Sequence, residues 1–170
     1  VSVGMFEHVG VHHYGEFFTK INELMDDDGV ALIHSIGHMS PPGTASPWLR
    51  KYIFPGAYSP ALSEVFDAVE QHSLWVTDLE FLRLHYAETL AHWVRRFEAN
   101  RGKVEAMYDA KFARMWEFYL ISAEMMFRTG SQLVFHMQLA RKRDAAPIVR
   151  DYITDTQRAY QKLETELPGR

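Results

Sequence analysis

Three side chains in this sequence exceed what packing alone requires. Glu7 stands beside His8, directly after the short apolar piece Val1-Ser2-Val3-Gly4. His34 lies late in the run Val30-Ala31-Leu32-Ile33-His34-Ser35-Ile36, and Tyr86 opens a long aromatic stretch. If both apolar runs are parallel strands, Glu7 and His34 fall at the carboxyl edge of the sheet, where open α/β sheets bind their ligands. Two ionisable groups converging there make a candidate acid–base site. Plainer readings stand beside this one. A carboxylate after a strand is also favoured by the positive end of a following helix, and a His in an apolar strand is also a satisfied core residue. A metal reading competes too: His8 and His12 stand four apart on a possible short helix, with His13 and Glu7 adjacent, a spacing that suits imidazole ligands. No H-E-x-x-H, phosphate loop, dinucleotide G-x-G-x-x-G or G-x-S-x-G elbow occurs in the chain.

The elements that must position these groups are legible from periodicity. Residues 1–4 read as the end of a buried strand. Phe17, Phe18, Ile21, Leu24 and Met25 recur at helical spacing over residues 14–25, and Asp26-Asp27-Asp28-Gly29 ends that helix. Residues 30–36 are nearly all apolar, the pattern of a strand buried on both faces. Strand, helix, strand at this spacing predicts a βαβ unit and a parallel sheet. Pro41-Pro42-Gly43 makes residues 38–46 a loop, and residues 48–54 form a short aromatic-basic stretch. A helix is expected over 60–71, with Ser59 as its cap and Pro60 at its first position. A strand over 74–78, helices over 84–100 and 108–128, a strand over 131–139 and a charged surface helix over 155–167 complete the reading.

Composition narrows the class. A length of 170 residues suits one domain with a real core, and 47% apolar with 14% aromatic residues excludes a disordered chain. There is no cysteine, so disulfides, thiolate metal sites and Cys nucleophiles within these residues are excluded. No uncharged apolar run approaches the roughly 18 residues of a membrane span, and a cytoplasmic protein is the expectation. The net charge of −4 is too mild for a general nucleic-acid binder. It hides an asymmetry, however: residues 1–80 carry −8 and residues 81–170 carry +4. Arg95, Arg96, Arg101, Lys103, Lys111 and Arg114 form a local basic cluster.

Val1-Ser2-Val3-Gly4-Met5-Phe6-Glu7-His8-Val9-Gly10 resembles a signature of the cyclopropane-fatty-acyl-phospholipid synthases. So do His34-Ser35-Ile36-Gly37, Trp48 with Lys51-Tyr52-Ile53-Phe54-Pro55, and His85-Tyr86 followed by Thr89-Leu90 and Trp93. Phe112-Ala113-Arg114-Met115-Trp116, Phe118-Tyr119-Leu120 and Phe127-Arg128 complete the set. The blocks keep the family's order and cover residues 1 to about 141. The family includes the mycolic acid cyclopropane synthases and related lipid methyltransferases.

The resemblance implies an α/β fold: the C-terminal half of a class I methyltransferase, Rossmann-like sheet with a helical insertion forming a lipid pocket. Residues 1–141 would be the C-terminal part of the catalytic domain and residues 142–170 a charged, helical extension. The implied reaction moves a methylene from S-adenosyl-L-methionine to the cis double bond of an unsaturated phospholipid acyl chain. The implied base is bicarbonate, held by Glu7, His34, the backbone at Ile36, and Tyr86; a further family ligand, a Cys, has no counterpart here. Phe54, Trp93, Trp116 and Tyr119 would line the lipid pocket, where aromatic faces steady cationic charge without reacting. Glu7 can accept an O–H from the bound base, while Tyr86 and a ring N–H of His34 can donate to its oxygens.

The family's cofactor loop, acidic ribose ligand and N-terminal lipid region are expected upstream of residue 1. The expectation is therefore a chain that lacks the enzyme's N-terminal half, exposes a sheet edge and by itself neither binds S-adenosylmethionine nor methylates. Peripheral attachment to the inner membrane face, through the basic cluster, and a homodimer of the full protein complete the implied picture. Two rival readings stay open: a lipid C-methyltransferase making a methyl-branched chain, and a non-catalytic lipid- or partner-binding module.

Overall fold

The computed structural model describes residues 1–56 and 58–166. Four strands form one sheet: β1 (Ser2–Val3), β2 (Val30–His38), β3 (Trp75–Phe81) and β4 (Gln132–Ala140), in the order β1-β2-β4-β3. β1 and β2 are parallel, as the βαβ reading predicts, with α1 (Tyr14–Leu24) crossing between them. The all-parallel expectation fails at β4, which runs antiparallel to both β2 and β3 and is inserted between them. The reason lies in the connection. One crossing helix returns the chain to the end of the sheet where it started, which gives a parallel neighbour. Two antiparallel helices, α4 (His85–Met107) and α5 (Ala110–Thr129), leave it at the opposite end, so the next strand must run backwards.

Insertion of β4 buries both of its faces. Leu133, Phe135, Met137 and Leu139 enter a core with Phe6, Tyr14 and Phe18 on one side of the sheet, joined by Val65 and Val69 of α3 (Leu62–Gln71). Val134 enters a second core on the other side with Leu90, Phe97, Leu120 and Phe127 of α4 and α5. The fold is thus helix, sheet, helix in three layers.

Several boundaries differ from the periodicity reading, each for a local reason. Ser59 is not the cap of α3. Pro60 and Ala61 are held extended by β2, through His38 N–H donating to the Pro60 carbonyl at 3.0 Å and a bridge from His38 to Ala61. The helix therefore starts at Leu62, and Glu64 reaches back to accept the Ala61 N–H at 2.8 Å. The aromatic-basic stretch is a short helix, α2 (Pro47–Tyr52), capped by Ser46, whose hydroxyl accepts the Leu49 N–H. α4 runs past Asn100 and through Gly102. Arg101 holds Glu98 and Glu105 on its own helix and Glu117 on α5, and Val104 still packs into the second core. Together these offset the roughly 1 kcal/mol that a helical glycine costs. β3 extends to Phe81, three residues beyond the predicted end, because the whole edge of β4 is available to pair with it.

α6 (Asp151–Glu166) starts earlier than predicted. Its beginning is tied to the sheet by Arg150 with Asp78 and by Gln138 donating to the Tyr152 hydroxyl at 2.8 Å. The predicted last residue of that helix, at 167, lies outside the described residues. β1 is an edge strand whose outer side is unpaired among the described residues, with Val3 exposed. No helix among the described residues is long and apolar enough to cross a membrane.

Gly37 shows how tightly the site end of β2 is fitted. A Cβ there would stand 3.0 Å from the Phe135 ring and 3.1 Å from the Pro60 carbonyl oxygen. That oxygen is already fixed by His38. Gly37→Ala is expected to lower stability by about 1–3 kcal/mol, read as the midpoint of a thermal or urea melt; an unshifted midpoint would show that the strand end yields freely.

Candidate functional site

β1 ends at Gly4, whose φ of +66° turns the chain into a 3-10 turn at Phe6–His8. Gly4 N–H donates to the His34 carbonyl, so the turn is anchored on β2 at the residue of interest. Phe6 points into the core, which leaves its neighbour Glu7 on the site side. Two further bonds fix Glu7. Its carbonyl accepts the Tyr58 N–H at 3.1 Å, and its Oε1 accepts the Ile36 N–H at 2.8 Å. Its second oxygen, Oε2, is buried with no hydrogen-bond partner among the described residues. A buried carboxylate oxygen is costly to leave unpaired, and this one is available to accept an O–H from a bound group.

Ile36 therefore contributes differently from the ligand set implied by the resemblance. Its backbone N–H is spent on Glu7 and holds that carboxylate in place. His34 sits beside it on β2, with Nδ1 at 2.7 Å from Nε2 of His136 on β4. Tyr86 lies in the first turn of α4, half-buried against Phe127, at 5.1 Å between ring centroids, and Trp93 at 6.0 Å. Burial raises its hydroxyl pKa first, and the Glu7 charge raises it further, so Tyr86 keeps its proton as a donor. Burial and His136 lower the pKa of His34, while the Glu7 charge opposes them. The Glu7 charge thus acts on both His34 and Tyr86.

The sign of the His34 shift makes a stability prediction. Its folded-state pKa lies below the ordinary value of about 6.5, so over that window the unfolded chain binds more protons than the folded one. The contribution from neutral His34 is complete above about pH 6.5 and is lost as pH falls toward the depressed folded value. His34→Gln is expected to flatten this part of the stability–pH curve in urea melts between pH 5 and 7. An unchanged slope would show that other groups carry it.

The four aromatics expected in a lipid pocket fall into two groups, whose Tyr86, Trp116 and Tyr119 all pack against the second core. Phe54 meets Tyr119 edge-on at 5.8 Å, Tyr119 meets Trp116 at 5.1 Å, and Trp93 meets Tyr86 edge-on. Burial raises the Tyr119 pKa first and Tyr86 adds to it. Phe54 and Trp93 are 40% and 36% exposed, which leaves apolar surface open beside Tyr119 and Tyr86.

The competing metal reading fails on local geometry. Gly10, with φ of +81°, separates two 3-10 turns, so His8 and His12 do not share a helical face; both are exposed. Among the described residues no three His, Cys, Asp or Glu are placed to hold a metal ion. In the basic cluster, Arg101 is committed to three carboxylates. Arg95, Arg96, Lys103, Lys111 and Arg114 are exposed. Lys111 and Arg114 line an open groove between α2 and α5 together with Trp48, Tyr52 and Phe118.

Sequence reasoning misses His136 and Glu80. Both sit on the same cross-strand row as His34. The alternation of Leu133, Phe135, Met137 and Leu139 does place His136 on the other face of its strand. Only the register shows which residues it meets.

The mycolic acid cyclopropane synthetase family matches residues 1–137. The chain is 37% identical over 148 residues to the tuberculostearic acid methyltransferase UfaA1 of Mycobacterium tuberculosis, covering 84% of this chain and 35% of that protein. It is 34% identical over 141 residues to the cyclopropane-fatty-acyl-phospholipid synthase of Escherichia coli K12, covering 83% and 37%. Among solved structures, mycolic acid cyclopropane synthase CmaA1 complexed with SAH and CTAB superposes with a TM-score of 0.74 at 29% identity, covering 81% of this chain and 53% of that one. The chain thus spans about a third of the length of the curated relatives it matches. The sheet with its reversed strand is the sheet of class I S-adenosylmethionine methyltransferases, and the match spans the turn after β1 that carries Glu7 and the strand β2 that carries His34. On these grounds the chain belongs to the mycolic acid cyclopropane synthetase family.

Proposed function

We infer that this chain is the part of a lipid methyltransferase that handles the acyl chain and its proton, and that the product is a cyclopropane ring. The observation that carries the reading is the unpartnered, buried Oε2 of Glu7 beside His34 and Tyr86, with an open aromatic patch alongside. An alkene is a weak nucleophile, so the protein must work through placement and through steadying positive charge. The faces of Tyr86, Trp116 and Tyr119 suit the second task, since they attract a cation without reacting with it. S-adenosylmethionine supplies the methyl group, and bicarbonate, when bound, supplies a small base that reaches a buried lipid carbon. The residues fit such a base. Glu7 Oε2 accepts a hydrogen bond, the Tyr86 hydroxyl donates one, and the Ile36 N–H keeps Glu7 turned toward them.

An unsaturated phospholipid is the proposed substrate, reached at the inner membrane face from the cytoplasm. Exposed Arg95, Arg96, Lys103, Lys111 and Arg114 support this, because basic residues near an anionic surface contribute roughly 1 kcal/mol each. A methyl-branched product is the alternative favoured by the methyltransferases among the relatives.

The full-length protein, given S-adenosylmethionine with a ¹³C-labelled methyl group and vesicles of unsaturated phosphatidylglycerol, is expected to place the label in upfield cyclopropane methylene signals. The yield should fall as salt rises, through screening. A labelled methyl doublet would establish the branched product instead. Absence of label from the lipid would refute the lipid methyltransferase reading altogether.

A further inference from the structure

The cross-strand row that carries His34 continues to the surface. Directly opposite His34 on β4 is His136, and directly opposite His136 on β3 is Glu80. Nδ1 of His34 lies 2.7 Å from Nε2 of His136, and Nδ1 of His136 lies 3.8 Å from Oε2 of Glu80. The second distance is longer than a hydrogen bond, and the half-exposed Glu80 side chain can rotate to shorten it. The His136 and Glu80 side chains are 32% and 49% exposed, so the row runs from the site outward to solvent.

We propose that His136 and Glu80 are positioning residues that fix the tautomer of His34 and leave its Nε2 unprotonated, a reading that rests on the placement of His34 in the site proposed above. Glu80 is an acceptor, so the His136 nitrogen turned toward it carries that ring's proton. In neutral His136, Nε2 is then a lone pair and accepts the Nδ1–H of His34. This leaves Nε2 of His34 bare. The two nitrogens lie on opposite edges of the ring, so Nε2 points away from β4, toward the β1 side of β2 where Glu7 follows. His34 thus faces the site as an acceptor. That reverses the donor role expected from the family resemblance. When an O–H in the site gives its proton to Nε2 and keeps the electron pair on oxygen, the positive ring keeps its Nδ1–H on His136, and the Glu80 carboxylate stands behind to offset the charge.

The surroundings of the row leave this assignment to these groups. Glu7 faces His34 from the turn after β1, Tyr86 comes from α4, and Tyr119, which adjoins Tyr86, comes from α5. Arg128 of α5 is occupied by Glu88 and Glu124. On the same face of the sheet, Asp78 is paired with Arg150 and Gln138 bonds Thr77 and Tyr152. His38, farther along β2, bonds Ser40. Leu32, Ile36 and Val134 are the apolar neighbours. Burial favours the neutral ring of His34.

Long-range ¹⁵N–¹H spectra of the imidazoles in the full-length protein report the tautomer directly. His34 is expected as Nδ1–H with a bare Nε2, and as the Nε2–H form in His136→Phe. An Nε2–H His34 in the unsubstituted protein overturns the proposal, whether or not any variant folds. In lipid turnover, His136→Phe is expected to lose about 100-fold in kcat with KM unchanged. His136→Gln should recover most of that loss, because its amide oxygen still accepts from His34. Full turnover and an unmoved acid limb in His136→Phe would also overturn the proposal. If the unsubstituted protein makes no lipid product, the lipid methyltransferase reading fails instead, and the spectra still decide the tautomer.

Discussion

Glu7→Gln is expected to lower lipid turnover by about 10²- to 10⁴-fold, the range that a placed acid–base group supplies, while leaving the melting temperature nearly unchanged. The substitution is close to isosteric. Its amide oxygen can still accept the Ile36 N–H that now binds Oε1 at 2.8 Å, so the turn after β1 stays anchored. At the other position an acceptor becomes an NH₂ donor, where a buried oxygen has no partner among the described residues. A site built to receive an O–H would then offer a hydrogen atom instead.

The loss of charge gives a second, independent readout. The Glu7 carboxylate opposes the lowering of the His34 pKa. Its removal should drop that pKa further and move the acid limb of kcat/KM to lower pH. Product analysis by NMR and a thermal melt on the same preparation check all three outcomes. Ring formation at the unsubstituted rate would remove Glu7 from the chemistry. A collapse of the melt would show that its role is structural.

Phe6→Ala is expected to produce the largest stability change at the site, about 3–5 kcal/mol. Phe6 is 0% exposed. Its ring stacks on Tyr14 at 4.3 Å and meets Phe17 and Phe18 at 5.0 and 5.7 Å. Truncation leaves a cavity among three rings carried by a rigid helix, which cannot collapse to fill it. In a domain of this size the loss corresponds to ~10 °C in melting temperature. Phe6 is also the residue before Glu7, so the turn that aims the carboxylate loses its anchor, and turnover should fall even at temperatures where the variant stays folded. Phe6→Leu should recover much of the stability by filling most of the volume. A Phe6→Ala protein that melts within two or three degrees of the unsubstituted one would mean that the cluster repacks.

Much of this site is local and therefore readable. Glu7 follows β1 and His34 lies on the next, parallel strand, a placement that follows from apolar runs, glycines and one intervening helix. The expected position of His34 at the strand's carboxyl edge fails: β2 runs on to His38, so His34 sits at its middle, opposite the end of the short β1. Tyr86 begins a helix whose 3.6-residue period is unbroken. The helical positions of Trp93 on α4 and of Trp116 and Tyr119 on α5 follow from the same periodicity, though the contact of Tyr119 with Phe54, in the loop after α2, does not. Boundaries shift where a tertiary bond competes with a local signal. Ser59 and Pro60 look like the start of a helix, but the hydrogen bond from His38 and the bridge to Ala61 keep that piece extended.

The sequence by itself determined the order of the elements, the families of residues that face inward, and the placing of one carboxylate just after the first strand and one imidazole on the second. These depend on contacts within a few residues, which periodicity and turn chemistry encode directly. Tertiary structure alone decided that β4 enters between β2 and β3 and runs backwards. That insertion depends on how two helices pack against each other more than twenty residues away. It also decided what His34 touches. A partner 102 positions along the chain, at 2.7 Å, is set by strand register. Register is a property of the whole sheet: a one-residue slip would turn His136 to the other face.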